Sequence, residues 1–159
     1  MKRGVLSFLL GGTVGGIVGA SAVGCKLRKD VKGEQTYAQK HLLIVQMLNQ
    51  WLIDKHEGKN LASFFEDNGY KSIAIYGMSY LGERLVDELR GSGIEVKYAI
   101  DKNADTIYAG VEIKQPSDDL PEVDAVVVTA VYFYDEIEEE LVKLMDCTVI
   151  SLEEVLFGV

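Results

Sequence analysis

Residues 72–101, SIAIYGMSYLGERLVDELRGSGIEVKYAID, decide the fold of this chain. The segment opens on an apolar run of the kind found in parallel strands that are covered on both faces. Gly77 and Gly82 then bound a short turn, and an amphipathic stretch continues to Leu89. A second apolar run ends on Asp101. This order predicts strand, glycine turn, helix and strand, with the N-terminus of the helix directed at an anion above Gly77.

The turn matches part of the dinucleotide-binding fingerprint, G-x-G-x-x-G. Gly77 takes the first position, where the chain turns, and Gly82 takes the third, where the helix packs on the strand. Ser79 takes the second position. Its side chain either crowds a pyrophosphate or donates its hydroxyl to a phosphate, and the sequence leaves both roles open. Asp101 lies 24 residues after Gly77, close to the spacing of an acid that binds a ribose hydroxyl.

Further residues are predicted to complete a nucleotide site. Backbone amides from Met78 to Tyr80 would face the phosphates, and Thr129 and Ala130 would form the opposite wall at the topological switch point of the sheet. The aromatic run 132–134 would stack a base, line an interface or fill a gap under a helix. The predicted cofactor-binding residues are Gly77, Met78, Ser79, Tyr80, Gly82, Asp101, Thr129 and Ala130.

The rest of the C-terminal region continues the alternation of strands and helices. Apolar runs at 111–113, 125–129 and 148–151 are predicted strands, and a helix over 136–145 is predicted to begin at an Asp135 N-cap. Residues 69–159 therefore predict an α/β fold, a five-stranded parallel Rossmann-like sheet of order 3-2-1-4-5 with right-handed crossovers.

Residues 33–68 form a predicted helical region between the N-terminal segment and the sheet. A long helix over 35–55 carries apolar residues on more than one face. It either packs only on its own domain or uses a surplus around Leu48 and Trp51 to meet another chain, which would make a homo-oligomer. Asn60 is predicted to cap a short helix that follows.

Residues 1–32 read as a transmembrane anchor with a basic flank. The stretch 4–25 has no charge over 22 residues, enough for a helix to cross the lipid core of a membrane. Its glycines recur on small-xxx-small spacings, which allow neighbouring helices to approach closely. Basic residues are more numerous after the span than before it, so we expect a single pass in the cytoplasmic membrane with the C-terminal domain in the cytoplasm.

Two alternatives remain for this segment. Residues 21–25, SAVGC, form a loose lipobox, so the chain would be an exported lipoprotein or carry another cleaved signal. A soluble glycine-rich arm is the other alternative.

Charge and composition exclude two classes of partner. Residues 33–159 hold ten Lys/Arg and 24 Asp/Glu, a formal charge of −14, and such a surface repels the phosphates of nucleic acid. Two cysteines and two histidines, with no paired spacing, predict no metal site.

Residues 71–151 resemble the small Rossmann domains of bacterial surface-polysaccharide proteins. These include the nucleotide-binding halves of membrane sugar-phosphate transferases, and nucleotide-sugar epimerase/dehydratase-like, CoA-binding-like and acetyltransferase proteins. The resemblance lies in the Ile73–Gly77 strand end, the LGERL run at 81–85, the YAID run at 98–101, the Gly110–Val111 step and the DAVVV run at 124–128. The N-terminal span resembles the glycine-zipper ends of YtxH-like membrane proteins.

The resemblance implies a ligand such as NAD, coenzyme A or a nucleotide-sugar. In those families catalysis lies in other parts of the protein, and the chain has no correctly placed Tyr-x-x-x-Lys pair. We therefore expect a membrane-tethered nucleotide-binding accessory module of sugar or cell-envelope metabolism, without catalysis of its own. A ligand-free interaction scaffold and an oxidoreductase or epimerase of nucleotide-sugars are the alternatives.

Overall fold

The structure, a computed structural model, describes residues 36–107, 109–116 and 119–159. The chain divides into two units, Met1–Leu42 and Leu43–Val159, and the second contains the sheet. The predicted anchor at 4–25, its basic flank and the lipobox lie outside the described residues. None of the helices in the described part is both long enough and apolar enough to span a membrane.

Helices and strands follow one another in the predicted order. The first helix, α1, covers residues 36–56. The remaining elements are α2 (Leu61–Asp67), β1 (Ser72–Tyr76), α3 (Tyr80–Leu89), β2 (Glu95–Ile100), β3 (Ile113–Lys114), β4 (Ala125–Val128), α4 (Tyr134–Leu144), β5 (Thr148–Ser151) and α5 (Leu152–Phe157). Asn60 caps α2 as predicted, because its side chain accepts a hydrogen bond from the Ala62 amide at 3.0 Å.

The five strands form one parallel sheet in the order β3-β2-β1-β4-β5, which confirms the predicted topology. Tyr76, the last residue of β1, lies opposite Ile100 of β2 and Val128 of β4. The carboxyl ends of the three central strands therefore meet at one edge of the sheet. This is the edge at which ligands bind in open α/β sheets.

The two faces of the sheet bury separate cores. On one face, Ile73 and Ile75 pack with residues of α1, α2, α3 and α5, including Phe65 and Leu85. On the other face, the β-strand side chains pack against α4 through Ile137 and other residues. Fully burying one such side chain stabilises the fold by about 1.5–3 kcal/mol. Covering both faces explains why every residue of β4 is apolar and buried.

Three local details differ from the sequence-based expectations. Phe133 occupies the N-cap position of α4, so Asp135 lies inside the first turn instead of capping it. The third strand is Ile113–Lys114 and not 111–113. Trp51 is only 6% exposed and belongs to the core, so it is not part of a surplus that faces another chain. The large apolar side chains of α1 that are exposed include Leu42, Val45, Leu52 and Ile53.

Asp124, just before β4, forms hydrogen bonds that join the amino end of β4 to that of β1. One carboxylate oxygen, Oδ2, accepts hydrogen bonds from the amides of Lys71 (2.8 Å) and Ser72 (2.7 Å) and from the Ser72 hydroxyl (3.1 Å). These bonds favour the charged carboxylate, and they lower the pKa of Asp124, the backbone bond from Ser72 contributing most. Only the ionised side chain offers this acceptor at full strength.

We therefore expect Asp124→Asn to lower the midpoint of thermal unfolding near neutral pH. Because the folded pKa of Asp124 is depressed, its contribution is complete above the unfolded pKa and disappears as the pH falls through the folded pKa. The gap between the two proteins should accordingly close in acid, as measured by the unfolding midpoint from neutral pH downward. A gap that stays constant with pH would show that the charge of Asp124 does not contribute.

Candidate functional site

The turn after β1 requires glycine at position 77. Gly77 has a φ of +97°, in the region that L-residues rarely adopt, and its amide donates to the Ile100 carbonyl at 2.8 Å. A Cβ at this position would lie 3.0 Å from Thr129 Oγ1 and 3.3 Å from the Ala130 nitrogen. The chain thus turns sharply between the ends of β2 and β4, with no room for a side chain.

Gly82 lies in the first turn of α3 and packs on the same loop. A Cβ there would overlap the carbonyl oxygen of Gly77 and would also lie 3.2 Å from the sulfur of Met78. The helix therefore approaches the turn so closely that only glycine fits at position 82. This contact is the one expected of the third glycine in the dinucleotide fingerprint.

Asp101 ties the end of β2 to the glycine turn. Its Oδ2 accepts a hydrogen bond from the Met78 amide at 2.9 Å, and its Oδ1 accepts one from the Asn103 amide at 2.8 Å. Met78, whose amide was predicted to face a phosphate, is therefore already bonded, and its side chain is buried. A carboxylate has about four lone-pair positions, so Oδ2 can still accept a hydrogen bond from a ligand hydroxyl.

The N-terminus of α3 opens to solvent beside this turn. Ser79 occupies the N-cap position, and its side chain makes no capping hydrogen bond. Tyr80, the first helical residue, is 72% exposed. The first amides of a helix have no intrahelical partner and carry a partial positive charge. They and the Ser79 hydroxyl are consequently the groups of the turn that are available to an anion.

Thr129 supports the turn from the interior. It is 2% exposed, its amide donates to the Tyr76 carbonyl at 2.9 Å, and its hydroxyl oxygen lies 2.5 Å from the Gly77 carbonyl oxygen. The hydroxyl therefore donates to Gly77 within the fold. Ala130, the next residue, does line the cavity described below.

A cavity of about 410 Å³ opens at this edge of the sheet, on the side covered by α4. It lies between the ends of β1, β2 and β4 and the first turns of α4. Its lining residues are Tyr76, Gly77, Asp101, Lys102, Asn103, Ala130, Phe133, Glu136, Ile137 and Glu140. Three of these are acids and one is a base, and the base, Lys102, lies 3.6 Å from the Glu140 carboxylate.

Of the predicted residues, the structure brings Gly77, Asp101 and Ala130 together in the cavity wall. Sequence reasoning missed Tyr76 and the two acids of α4, Glu136 and Glu140. Tyr76 stands at the end of an apolar strand, where the sequence pattern predicts a tyrosine that packs in the core. The pattern likewise predicts that the two acids lie on the solvent-exposed face of a helix. A cue for Glu136 and Glu140 was their spacing of four residues, which places both on one face of α4.

The aromatic run 132–134 divides between three roles. Phe133 lines the cavity, and Tyr132 packs edge-on against it with ring centres 5.5 Å apart. Tyr134 is structural, because its hydroxyl bonds the Glu138 carboxylate at 2.8 Å and approaches the Val149 carbonyl at 3.1 Å. Burial, followed by the bond to Glu138, raises the pKa of Tyr134 to about 12.

A larger cavity, about 590 Å³, lies at the opposite edge of the sheet, near the amino ends of the strands. Several of its polar groups already bond within the protein. Asp124 holds Lys71 and Ser72, and the Lys97 ammonium donates to the Glu122 carbonyl at 3.0 Å. Its lining, as far as the structure describes it, includes neither a helix N-terminus nor a glycine turn. The carboxyl edge is therefore the better candidate site despite its smaller volume.

Within the described ranges, no group of three or more His, Cys, Asp or Glu side chains is arranged to hold a metal ion.

Comparisons with known proteins found one similar solved structure. No family model and no curated protein matches the chain. The chain is similar to UDP-D-quinovosamine 4-dehydrogenase from Vibrio fischeri, with 24% identity and a TM-score of 0.45 over 56% of this chain and 85% of that one.

Proposed function

We propose that residues 69–159 bind a nucleotide across the carboxyl edge of the sheet, with its phosphates over the start of α3 and its nucleoside in the cavity beside α4. The observation that carries the proposal is the junction of Gly77, Asp101 and the cavity. A tight glycine turn and an acid with a spare lone pair border the cavity, and the N-terminus of α3 follows that turn directly in the chain.

Phosphate binding would rely on the backbone. The first amides of α3 and the exposed Ser79 hydroxyl supply donors, and the helix dipole favours an anion there. The nearby basic residue of α3, Arg84, lies 3.2 Å from Asp87 and 3.5 Å from Glu83. A phosphate at the turn would therefore be held mainly by amide hydrogen bonds.

The nucleoside suits the cavity better than a phosphate does. Phe133 and Ile137 supply apolar surface, and Asp101 supplies an acceptor for a ribose hydroxyl. The volume of about 410 Å³ falls in the range of small-molecule sites. The excess of carboxylates repels a phosphate, because like charges in a partly enclosed cleft are weakly screened.

We further propose that the domain acts as a membrane-tethered accessory module, for NAD, coenzyme A or a nucleotide-sugar, in bacterial sugar or envelope metabolism. The uncharged run at 4–25 and the basic residues after it support the tether. The resemblance of residues 71–151 to surface-polysaccharide domains supports the metabolic role. Catalysis of its own is not part of this proposal.

The direct test is thermal unfolding of the full chain in detergent with NAD, coenzyme A, ADP, UDP and UDP-glucose. A ligand that binds only the folded state at 100 times its Kd stabilises it by about 2.7 kcal/mol. We expect at least one of these nucleotides to raise the unfolding midpoint in a saturable manner. If none does so up to millimolar concentration, nucleotide binding is refuted.

A second candidate function is a docking scaffold without a ligand. It is favoured by the exposed apolar side chains Val45, Leu52 and Ile53 on α1. Two results together would favour this function. The chain would be monomeric and bind no nucleotide, and it would lose a co-purifying partner when Val45 and Leu52 are replaced by serine.

Asp101→Ala tests the link between the turn and the cavity. The substitution removes the acceptor of the Met78 and Asn103 amides, so we expect the free energy of unfolding to fall by about 1.5–3 kcal/mol, the usual range for hydrogen bonds to a charged group. Nucleotide affinity should also fall. Chemical unfolding and titration with the best ligand of the panel measure the two effects.

The matched control is Asp105→Ala, which removes an exposed carboxylate from the short 3₁₀ turn at Ala104–Thr106. It makes the same change in net charge and should leave both quantities nearly unchanged. Equal effects from the two substitutions would mean that net charge, and not the bonds of Asp101, is responsible.

A further inference from the structure

Tyr76 carries a buried polar atom that the described residues leave unpaired. It is the last residue of β1 and is 5% exposed. No donor or acceptor in the part of the chain that the structure describes bonds its hydroxyl. Buried polar groups in native proteins are nearly always hydrogen-bonded, and leaving one unpaired is costly. The hydroxyl of Tyr76 therefore has hydrogen-bonding capacity that the described residues leave unused.

The two other buried or partly buried tyrosines packed on this face have partners in the protein. Tyr98, on the neighbouring strand, is 1% exposed, and its hydroxyl donates to the Pro121 carbonyl at 2.5 Å. Tyr134 bonds Glu138. A tyrosine in this core thus normally finds a protein acceptor. What distinguishes Tyr76 is that it lines the cavity at the carboxyl edge of the sheet.

The surroundings keep the Tyr76 hydroxyl protonated. Burial raises its pKa, and the carboxylates of Glu140 and Asp101, which line the same cavity, raise it further. A neutral phenol can donate one hydrogen bond and accept another. The carboxylates beside it can only accept. The wall of the cavity thus combines the neutral phenol of Tyr76 with three carboxylates, and it also contains Lys102 and Asn103.

We propose that the Tyr76 hydroxyl recognises the ligand directly, by donating a hydrogen bond to an uncharged oxygen or nitrogen of the nucleoside that fills the cavity. This inference rests on the proposed function and assigns to Tyr76 a role in ligand specificity.

The same wall specifies the chemistry of the ligand atoms that meet it. A ligand atom that accepts from Tyr76 would share the cavity with the carboxylates of Glu140 and Asp101, so a ligand that also carries donors suits this wall. A sugar hydroxyl does both, and so does a base edge that presents a carbonyl or ring nitrogen beside an N–H group. A phosphate or carboxylate supplies no donor and would meet three carboxylates against the single ammonium of Lys102, so the net charge of the wall disfavours it. The ligand is therefore uncharged at this end.

Tyr76→Phe and Tyr98→Phe form a matched pair for testing this role. Each removes one buried hydroxyl from the same face of the sheet, but among the described residues only the second breaks a hydrogen bond. For full-length Tyr76→Phe we expect ADP, UDP or NAD, whichever binds the wild type, to bind about 5- to 100-fold more weakly. Its unfolding midpoint without ligand should equal or exceed that of the wild type.

Tyr98→Phe should show the opposite pattern, with a midpoint lowered by several degrees and an unchanged nucleotide affinity. Pyrophosphate, which lacks a nucleoside, should bind wild type and Tyr76→Phe equally. Calorimetric titration and thermal unfolding give both readouts.

Four results would overturn the inference. If Tyr76→Phe binds the nucleotide as tightly as the wild type does, Tyr76 does not contact the ligand. The proposed function would be unaffected by that result. A ligand-free midpoint lowered as much as in Tyr98→Phe would show that the hydroxyl has a partner in the protein. Pyrophosphate binding that weakens along with nucleotide binding would place Tyr76 at the phosphates. A wild type that binds no nucleotide would refute the inference together with the proposed function.

Discussion

Gly82→Ala should destabilise the domain by about 3 kcal/mol or more, in the upper range for overpacked sites, although alanine is the better helix former. The new Cβ would overlap the carbonyl oxygen of Gly77, which is backbone and cannot rotate away as a side chain would. Either α3 must move outward or the turn must deform. Urea unfolding of wild type and variant measures the loss.

Gly93→Ala is the control for this substitution. Among the described residues, a Cβ at position 93 would meet the Glu66 carboxylate alone, at 3.7 Å, and the backbone there needs no positive φ. We expect a change near zero. If Gly82→Ala is as mild as Gly93→Ala, then α3 does not pack closely on the turn.

Gly77→Val should abolish nucleotide binding and lower the free energy of unfolding by about 2–4 kcal/mol. A β-branched residue at a φ of +97° is strained by about 1–3 kcal/mol, and its side chain would also press on Thr129 and Ala130. Relieving the overlap would shift the start of α3, where the phosphates are proposed to bind. Ligand titration with the best nucleotide and chemical unfolding measure the two effects.

Gly91→Val separates backbone strain from damage to the site. Gly91 has a φ of +80°, but a Cβ at this position would have no atom of the described residues within 4 Å. The residue also follows the opposite end of α3 from the glycine turn. The substitution should lower stability and leave nucleotide affinity intact. A Gly77→Val protein that still binds nucleotide like the wild type would contradict the proposed position of the phosphates.

The topology was predictable because the two central strands β1 and β4 are apolar runs bounded by turn residues. Runs such as 125–128 can be buried only between two layers of helices, and alternation with helices then fixes parallel connections. The ends of elements were less predictable. Asp135 reads as an N-cap, but the 3₁₀ turn Val131–Phe133 leads directly into α4 and starts the helix earlier.

The site was predictable only where local geometry determines it. The need for glycine at 77 and 82 follows from the strand–turn–helix pattern, and the structure shows the contacts responsible. The bond between Asp101 and the Met78 amide joins residues 23 apart, and it depends on how β2 lies beside β1. The unpaired Tyr76 hydroxyl depends on what α4 leaves uncovered, which the sequence does not state.

The hydrogen bond from the Met78 amide to Asp101 also has a consequence for the kinetics of binding. It holds the turn in shape before any ligand arrives, since its partners are both part of the chain. A loop that is preorganised in this way loses little conformational entropy when a ligand is captured. Association should therefore proceed in a single step, without a slow rearrangement of the turn. The Met78 amide should therefore exchange slowly with solvent deuterium even in the ligand-free protein. Hydrogen-exchange measurements would detect this protection.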